Sequence, residues 1–395
     1  METQLSAARV SIRKGKAKPF WYGHPLVFSG AIQKVDGSPE AGECVDVLDQ
    51  NGNRIGWGVF NPHSDYRVRL LCLAEENAPD YAIQDLVKRR LEEAVLVRRS
   101  LGLPSDETNA YRLFNSEGDR LSGLTIDCFG DVLVVASSAL WVEKYRAEIE
   151  AAMRDVIKPR VIVWRQVNAP LRQDGVSEII QTISEETVTV RELGVNYQVA
   201  LGAGQKTGFY FDQRENRALI RSLAHGRSVL DVCCYTGGFA LNAARGGATN
   251  VVAVDSSAPA IENAKANAAL NGIEDVEFIC ADAIEAMQGA EGANLVVLDP
   301  PKLARTERDL HRAIPYYREL NKAALECLGT GGLLFTCSCS AAVSVDLFLE
   351  MLRDAAHDAH RRISLLKITR AAADHPLVPA FPEGDYLKCF LVAVA

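Results

Sequence analysis

The sequence predicts an α/β chain: a C-terminal parallel sheet flanked by helices, preceded by a small β-barrel and a central α+β segment. Three observations carry this. Beyond about residue 190, apolar runs at 228–232, 250–255, 276–280, 294–299 and 331–336 alternate with helical stretches such as Pro259 to Asn271, which is the spacing of βαβ units. The first two of those runs close on an acid, Asp231 and Asp255, and the first leads into Gly237-Gly238, a turn where a ligand can approach the backbone. The first 75 residues are strand-like and glycine-rich, with Asn51-Gly52 between apolar runs as a hairpin signal.

Taken in order, residues 1–75 hold Gly42 to Asp49, the Asn51-Gly52 turn, Arg54 to Phe60 and the alternating run Tyr66 to Leu73, which together predict the barrel. Residues 76–188 open with a helix over Ile83 to Leu101, whose Leu86, Val87, Leu91, Ala94, Val95 and Val97 keep helical spacing. A hairpin follows, Leu121 to Cys128 and Val132 to Ser137 about Gly130, then a helix over Val142 to Val156 and strands at Val161 to Arg165 and Thr187 to Val190. Residues 189–395 form the parallel-sheet domain. Its tail has a helix after 345, a strand over Ile363 to Ile368, a loop with Pro376, Pro379 and Pro382, and a last strand over Tyr386 to Ala395. That tail predicts an antiparallel hairpin closing the sheet.

The 395 residues allow two or three domains, and 48% hydrophobic with 24% charged residues supports a full core. A net charge of -8 argues against a wholly electrostatic nucleic-acid binder. A local basic run remains: Arg9, Arg13, Lys14, Lys16 and Lys18, followed by Trp21, Tyr22 and His24. Basic residues beside aromatics suit phosphates and unpaired bases, and a solvated terminal segment fits the same run equally well. No apolar run reaches the roughly 20 residues of a membrane span, and the N-terminus shows no secretory leader. The ten cysteines are irregularly spaced without a CxxC pair, which predicts reduced thiols, no metal site and a cytoplasmic location.

In an open α/β sheet, ligands bind beyond the carboxyl ends of the strands. Asp255 at such an end suits ribose hydroxyls, so a nucleoside-bearing cofactor is expected. The glycine-rich segment from Gly202 to Arg214, with Lys206 and Asp212, either covers that cofactor or is a plain entry loop. Asp282, one strand further, suits an adenine amino group, a helix N-cap, or both. Asp299-Pro300-Pro301-Lys302 holds an acid on a stiff turn and is a catalytic candidate. Cys337 and Cys339 follow the fifth run. A continued strand would point both the same way, with Cys339 further out and favoured as nucleophile.

Together these residues resemble a class I S-adenosylmethionine-dependent methyltransferase. Cys233 and Tyr235 depart from that family's first motif, where glycine is common. Gln205 to Arg214, Tyr235-Thr-Gly-Gly-Phe, Asp299-Pro-Pro-Lys and Cys337-Ser-Cys-Ser resemble one subfamily, the bacterial large-subunit (23S) ribosomal RNA cytosine-C5 methyltransferases with an N-terminal PUA domain. His24 to Gly30, Asp374-His-Pro and Tyr386-Leu-Lys extend the likeness over nearly the whole chain. In the central zone, Asp119 to Leu124 only approximates the subfamily's run.

The resemblance implies a Rossmann-like seven-stranded methyltransferase sheet, a PUA-like RNA-binding barrel and S-adenosyl-L-methionine as methyl donor. The implied reaction forms 5-methylcytosine in large-subunit ribosomal RNA through a covalent cysteine adduct. It casts Cys339 as nucleophile, Asp299 as the group holding or protonating the cytosine at N3, and Cys337 as a spare or packing residue. Pro301 and Lys302 stand where many such enzymes carry a second cysteine, which implies a one-cysteine cycle. By position, the cofactor residues are Lys206, Thr207, Phe209, Asp212, Asp231, Tyr235, Gly237, Asp255, Asp282 and Asp299, and the RNA residues are Arg13, Lys14, Lys16, Lys18 and His24. No membrane or metal is implied, and the oligomeric state is open, a homodimer included. An alternative is methylation of an exocyclic amine, which needs no thiol. A nicotinamide oxidoreductase fits less well, because Gly-x-Gly-x-x-Gly is absent after the first strand.

Overall fold

A computed structural model describes residues 8–76, 81–180, 187–201, 208–290 and 292–395. The chain divides into two compact units. One comprises residues 1–188, 200–209 and 373–384, the other residues 189–199, 210–372 and 385–395.

The first unit contains two sheets. The six-stranded one runs in the order Leu26–Phe28, Tyr66–Leu73, Arg54–Phe60, Cys44–Leu48, Ala8–Ile12, Ile32–Asp36. Alternate residues such as Val45, Val47, Val68 and Leu70 turn inward onto Val10, Ile12, Phe20 and Val27, as the period-2 pattern requires. The four-stranded sheet runs Val161–Gln166, Val132–Ser137, Leu124–Phe129, Ala110–Asn115. Helix Ile83–Ser100 buries Leu86, Val87, Leu91 and Ala94 of the stripe read from the sequence, half-buries Val95 and leaves Val97 exposed, with Arg90 and Arg98 turned inward beside the buried four. The helix expected over Val142 to Val156 is two pieces, Leu140–Lys144 and Arg146–Val156, meeting at Tyr145. Trp141 and Ile149 stay buried on either side of the break while the Tyr145 hydroxyl reaches the Gly42 carbonyl at 3.1 Å.

The second unit is built on a seven-stranded sheet. Its elements are β1 (Ser228–Val232), α1 (Gly238–Arg245), β2 (Asn250–Asp255), α2 (Ala258–Leu270), β3 (Val276–Cys280), α3 (Ala283–Gly289), β4 (Ala293–Leu298), α4 (Leu310–Cys327), β5 (Leu328–Ser338), α5 (Val345–Asp358), β6 (Ile363–Thr369) and β7 (Lys388–Val394). The strand order is β3-β2-β1-β4-β5-β7-β6. The first five strands are mutually parallel, and β7 is antiparallel to both β5 and β6. The tail is therefore the expected reversed hairpin.

Helices cover both faces, so β1 and β4 are near-continuous apolar runs rather than alternating ones. Leu230, Val232, Val296, Leu298 and Leu334 face the core with α4 and α5, and Val229, Leu295, Val297 and Phe335 face the core with α1. Helix α1 begins at Gly238, directly after the left-handed Gly237. Helix Arg214–Leu223 precedes β1 and packs on α1. Among the described residues no helix is long and apolar enough to cross a membrane.

Candidate active site

The chain leaves β1 through Cys233 to Gly237. Cys233 (φ 63°), Tyr235 (φ 51°) and Gly237 (φ 82°) all adopt left-handed backbone. The first two are the positions where this sequence lacks the glycines common in the resembled family. The turn keeps its shape despite them, at a strain of about 1 kcal/mol or more per non-glycine residue. Its backbone is held by Cys234 N–H donating to Val254 O (2.9 Å) and Gly237 N–H to Cys234 O (2.8 Å). Space is tight behind it. A Cβ on Gly237 would lie 3.3 Å from the Ala264 methyl, and one on Gly238 3.1 Å from Arg217 Cδ.

Four carboxyl groups gather at the strand ends. Asp231 is fully buried. Its Oδ2 accepts from Ala240 N–H at 2.9 Å in the first turn of α1, and its Oδ1 has no partner among the described residues. Burial pushes its carboxyl up to about 8. Asp255, at the end of β2, accepts from Tyr235 N–H (Oδ2, 2.9 Å) and Ser257 N–H (Oδ1, 2.9 Å). Asp282 is exposed and caps α3 through Oδ1 alone, accepting from Ile284 and Glu285 N–H. Asp299 follows β4, half-buried, and its Oδ2 accepts from Gln213 Nε2 at 3.0 Å. Cys233 feels all four: burial, then the charges of Asp255, Asp299, Asp231 and Asp282, push its thiol up to about 12.

The two cysteines after β5 part company. The strand ends at Ser338, and Cys337 and Cys339 both pack with the core beside α1, as the expected common direction requires, but to different depths. Cys337 is fully buried opposite Cys389 on β7, and burial, with Cys389 next, raises its thiol well above the ordinary range. A thiol held neutral is a poor nucleophile. Cys339 is half-exposed. It sits between two fully buried serines. Tyr317 Oη lies 3.0 Å from Ser338 Oγ and 3.4 Å from Ser340 Oγ. Ser340 Oγ also accepts from Ala304 N–H at 3.1 Å, so one hydroxyl ties the cysteine turn to the loop that starts at Asp299.

Several site residues escaped the sequence reading. Tyr210 stacks edge-on with Tyr235, ring centroids 5.4 Å apart. Its phenol is raised by burial, then by Tyr235, Asp299, Asp212 and Cys339, so it borders the acid, the thiol and the glycine turn. Arg217 holds the Tyr210 carbonyl at 2.8 Å and forms a buried two-pronged pair with Glu192 at 2.6 and 2.7 Å. Gln213 is buried between Asp299 and Asn216, whose Nδ2 donates to Gln213 Oε1 at 2.6 Å. Lys388, on β7, is also buried. The sequence signals were that Tyr210 and Gln213 lie in the motif from Gln205 to Arg214 and that Lys388 ends the Tyr386-Leu-Lys motif.

Asp212 is buried, and its Oδ2 accepts from the Tyr386 hydroxyl at 2.6 Å. Phe209 is buried and groups with the first unit. Lys206 and Thr207 lie outside the described residues. Arg13, Lys14, Lys16 and Lys18 are exposed on the first unit, near exposed Trp21, Tyr22 and Phe28. His24 is not presented to solvent. Its Nδ1 accepts from Leu26 N–H at 3.2 Å and its ring packs against Phe20, Phe28 and Phe381, because the aromatic cluster gains more from the ring than solvent would. Among the described residues no cluster of His, Cys, Asp or Glu is placed to hold a metal.

A doubly wound sheet, a left-handed glycine turn after β1 and acids at the ends of β2 and β3 fit a nucleoside cofactor. The class is confirmed by similarity. Residues 148–385 match the family described as S-adenosylmethionine-dependent methyltransferase, and residues 10–73 match a PUA-like domain. The chain belongs to the S-adenosylmethionine-dependent methyltransferase family, and S-adenosylmethionine is its methyl donor.

Within that family it is 36% identical to the ribosomal RNA large subunit methyltransferase I of Alteromonas mediterranea, covering 97% of this chain and 98% of that one. It is likewise 36% identical to the protein of the same name from Tolumonas auensis, covering 97% and 98%. The fold matches a SAM-dependent methyltransferase from Streptococcus mutans with TM-score 0.80 at 22% identity, over 98% of this chain and 100% of that one. It also matches a methyltransferase solved in complex with SAH, with TM-score 0.81 at 22% identity and the same coverage.

Proposed function

We propose that this protein methylates carbon 5 of a cytosine in 23S ribosomal RNA through a covalent adduct with Cys339. The observation that carries it is the pairing of one accessible thiol with one acid, Cys339 and Asp299, after the neighbouring parallel strands β4 and β5. The relatives named as ribosomal RNA large subunit methyltransferases support the substrate. A ribosomal substrate puts the enzyme in the cytoplasm.

Carbon 5 of cytosine is a weak nucleophile. Addition of the Cys339 thiolate at carbon 6 forms a C–S bond and makes carbon 5 an enamine carbon. Asp299, held by Gln213, acts in its protonated form, donating its proton to N3 to neutralise the negative charge that thiolate addition places on the ring, and recovers that proton when the adduct collapses. S-adenosylmethionine supplies the electrophilic methyl group to this carbon. Loss of the carbon-5 proton to a base then expels the thiolate and restores the aromatic ring.

Asp255 takes the ribose hydroxyls and Asp282 the adenine edge, through the oxygen not used in capping α3. Tyr235 and Gly237 line the turn beside them, and buried Asp231 shapes it from below. Lys206, Thr207, Phe209 and Asp212 are assigned to the cofactor by their place in the motif. The target base must be unpaired or extruded to reach the thiol, and Arg13, Lys14, Lys16 and Lys18 supply phosphate contacts. His24 supports this surface from within.

Bisulfite sequencing of 23S RNA from a deletion strain tests the reading. One cytosine should lose its methyl mark, regain it with the wild-type gene, and stay unmodified with Cys339→Ala. Full methylation by the alanine variant would refute the thiol mechanism and favour an exocyclic amine held by the Asp299-Pro-Pro turn. An unchanged cytosine methylation map would overturn the assignment of base and position.

A further inference from the structure

Lys388 is an ammonium in an unusual place. It lies on β7 directly opposite Ser338, the last residue of β5, and is only 2% exposed. Burying a lysine is costly unless its charge and donors are matched. Its Nζ donates to Ser340 O at 2.8 Å and to Val343 O at 2.5 Å. These carbonyls belong to the turn that leaves Cys339, itself closed by Val343 N–H donating to Ser340 O at 3.1 Å. The two carbonyls satisfy two of its three donors without neutralising the charge. No carboxylate forms an ion pair with Lys388 among the described residues.

We propose that Lys388 is a positioning residue for Cys339: it fixes the turn that aims the thiol and supplies the positive charge that favours its thiolate. This rests on the reading of Cys339 as nucleophile. Burial pulls the ammonium down to about 8, and Cys339 is the strongest influence opposing that fall. The pair therefore shares one electrostatic environment. The other groups acting on Lys388 are Arg370 and Lys302, which lower it, and Cys389, which raises it. Tyr210 and Tyr317, from their own elements, each feel the charges of both Cys339 and Asp299. Cys389 and Cys337 are raised thiols and stay neutral, which leaves Cys339 as the thiol whose ionised form answers the lysine.

The test is peptide-resolved alkylation of Cys339 in the full-length enzyme as a function of pH, read by mass spectrometry. In the wild type the midpoint should fall below the ordinary thiol value of about 8.5. Lys388→Met and Lys388→Gln should both raise it by about one unit and slow alkylation at pH 7 about tenfold, and Lys388→Arg should restore most of the wild-type profile. A glutamine variant with the wild-type midpoint would show that the side chain only tethers the turn, because glutamine keeps a donor and loses the charge. A wild-type midpoint at or above 8.5 overturns the proposal without any variant. Methyl transfer that survives Cys339→Ala would instead sink the nucleophile reading while leaving the thiol profile as measured, so the two failures are distinguishable.

Discussion

Replacing Gln213 with leucine isolates the support of the acid from the acid itself. Gln213 is 3% exposed, and leucine nearly fills the same volume. The change deletes the 3.0 Å bond to Asp299 Oδ2 and removes the acceptor that Asn216 Nδ2 uses at 2.6 Å. Asn216 retains a fallback in the Arg370 carbonyl at 3.3 Å, so the loss of global stability should stay near 1–2 kcal/mol. At the site, a hydrogen bond to a carboxyl group is worth about 1–3 kcal/mol, from neutral to charge-assisted. If Asp299 acts on the ring mainly in the transition state, that energy appears in the chemical step as a loss of roughly 5- to 150-fold. The assay is single-turnover transfer of labelled methyl to unmodified 23S RNA, with S-adenosylhomocysteine affinity measured by calorimetry. Affinity should stay within about threefold of wild type, since Gln213 contacts none of the acids of the glycine turn. A folded variant with an unchanged single-turnover rate would refute the idea that Gln213 positions a working Asp299.

Further predictions follow from the same geometry. Glu192→Ala removes the carboxylate that matches the buried Arg217 charge while leaving its bond to the Tyr210 carbonyl, which should lower unfolding stability by about 3–5 kcal/mol and is measurable by urea denaturation. Asp231 has a folded-state value near 8, raised above its unfolded one, so the unfolded chain ionises first and stability falls as pH rises from about 4 to about 8, by at most about 1.4 kcal/mol per unit. Asp231→Asn keeps an acceptor for Ala240 N–H and should flatten that decline; identical melting-temperature profiles from pH 5 to pH 8 would contradict the assignment. Replacing Lys14 and Lys16 with alanine should weaken RNA binding and reduce the slope of log affinity against log salt by about 1 to 2, whereas an unchanged slope would remove these lysines from the RNA surface.

The sheet was legible because its strands are buried on both faces and therefore spelled as unbroken apolar runs, and the acids that end them announced the crevice. Asp231, Asp255, Asp282 and Asp299 all lie at those ends. What sequence could not show depends on pairings between distant segments. Lys388 acquires meaning only when β7 inserts beside β5, and Gln213 only when the helix before β1 comes against the end of β4. Cys337 and Cys339 pack with one core as their parity predicts, and what the sequence could not show is that Cys339, beyond the strand end at Ser338, stays partly exposed. Tyr145 breaks a helix whose apolar spacing alone reads as continuous. The left-handed backbone at Cys233 and Tyr235 was similarly hidden, because those side chains do not advertise it as glycine does.

The stretch 373–384 separates β6 from β7 in sequence yet is grouped with the first unit. Asp374 Oδ2 accepts from Arg112 N–H at 2.9 Å, and its carbonyl accepts from Arg98 at 2.8 Å. The two units are thus interleaved along the gene and are not beads on a string. Recombination at a single junction near residue 188 would hand the methyl-transferring half a stranded insert and leave the other half with an open gap. Exchange of either half between related genes has to be coordinated at several junctions, so the two are expected to share one evolutionary history.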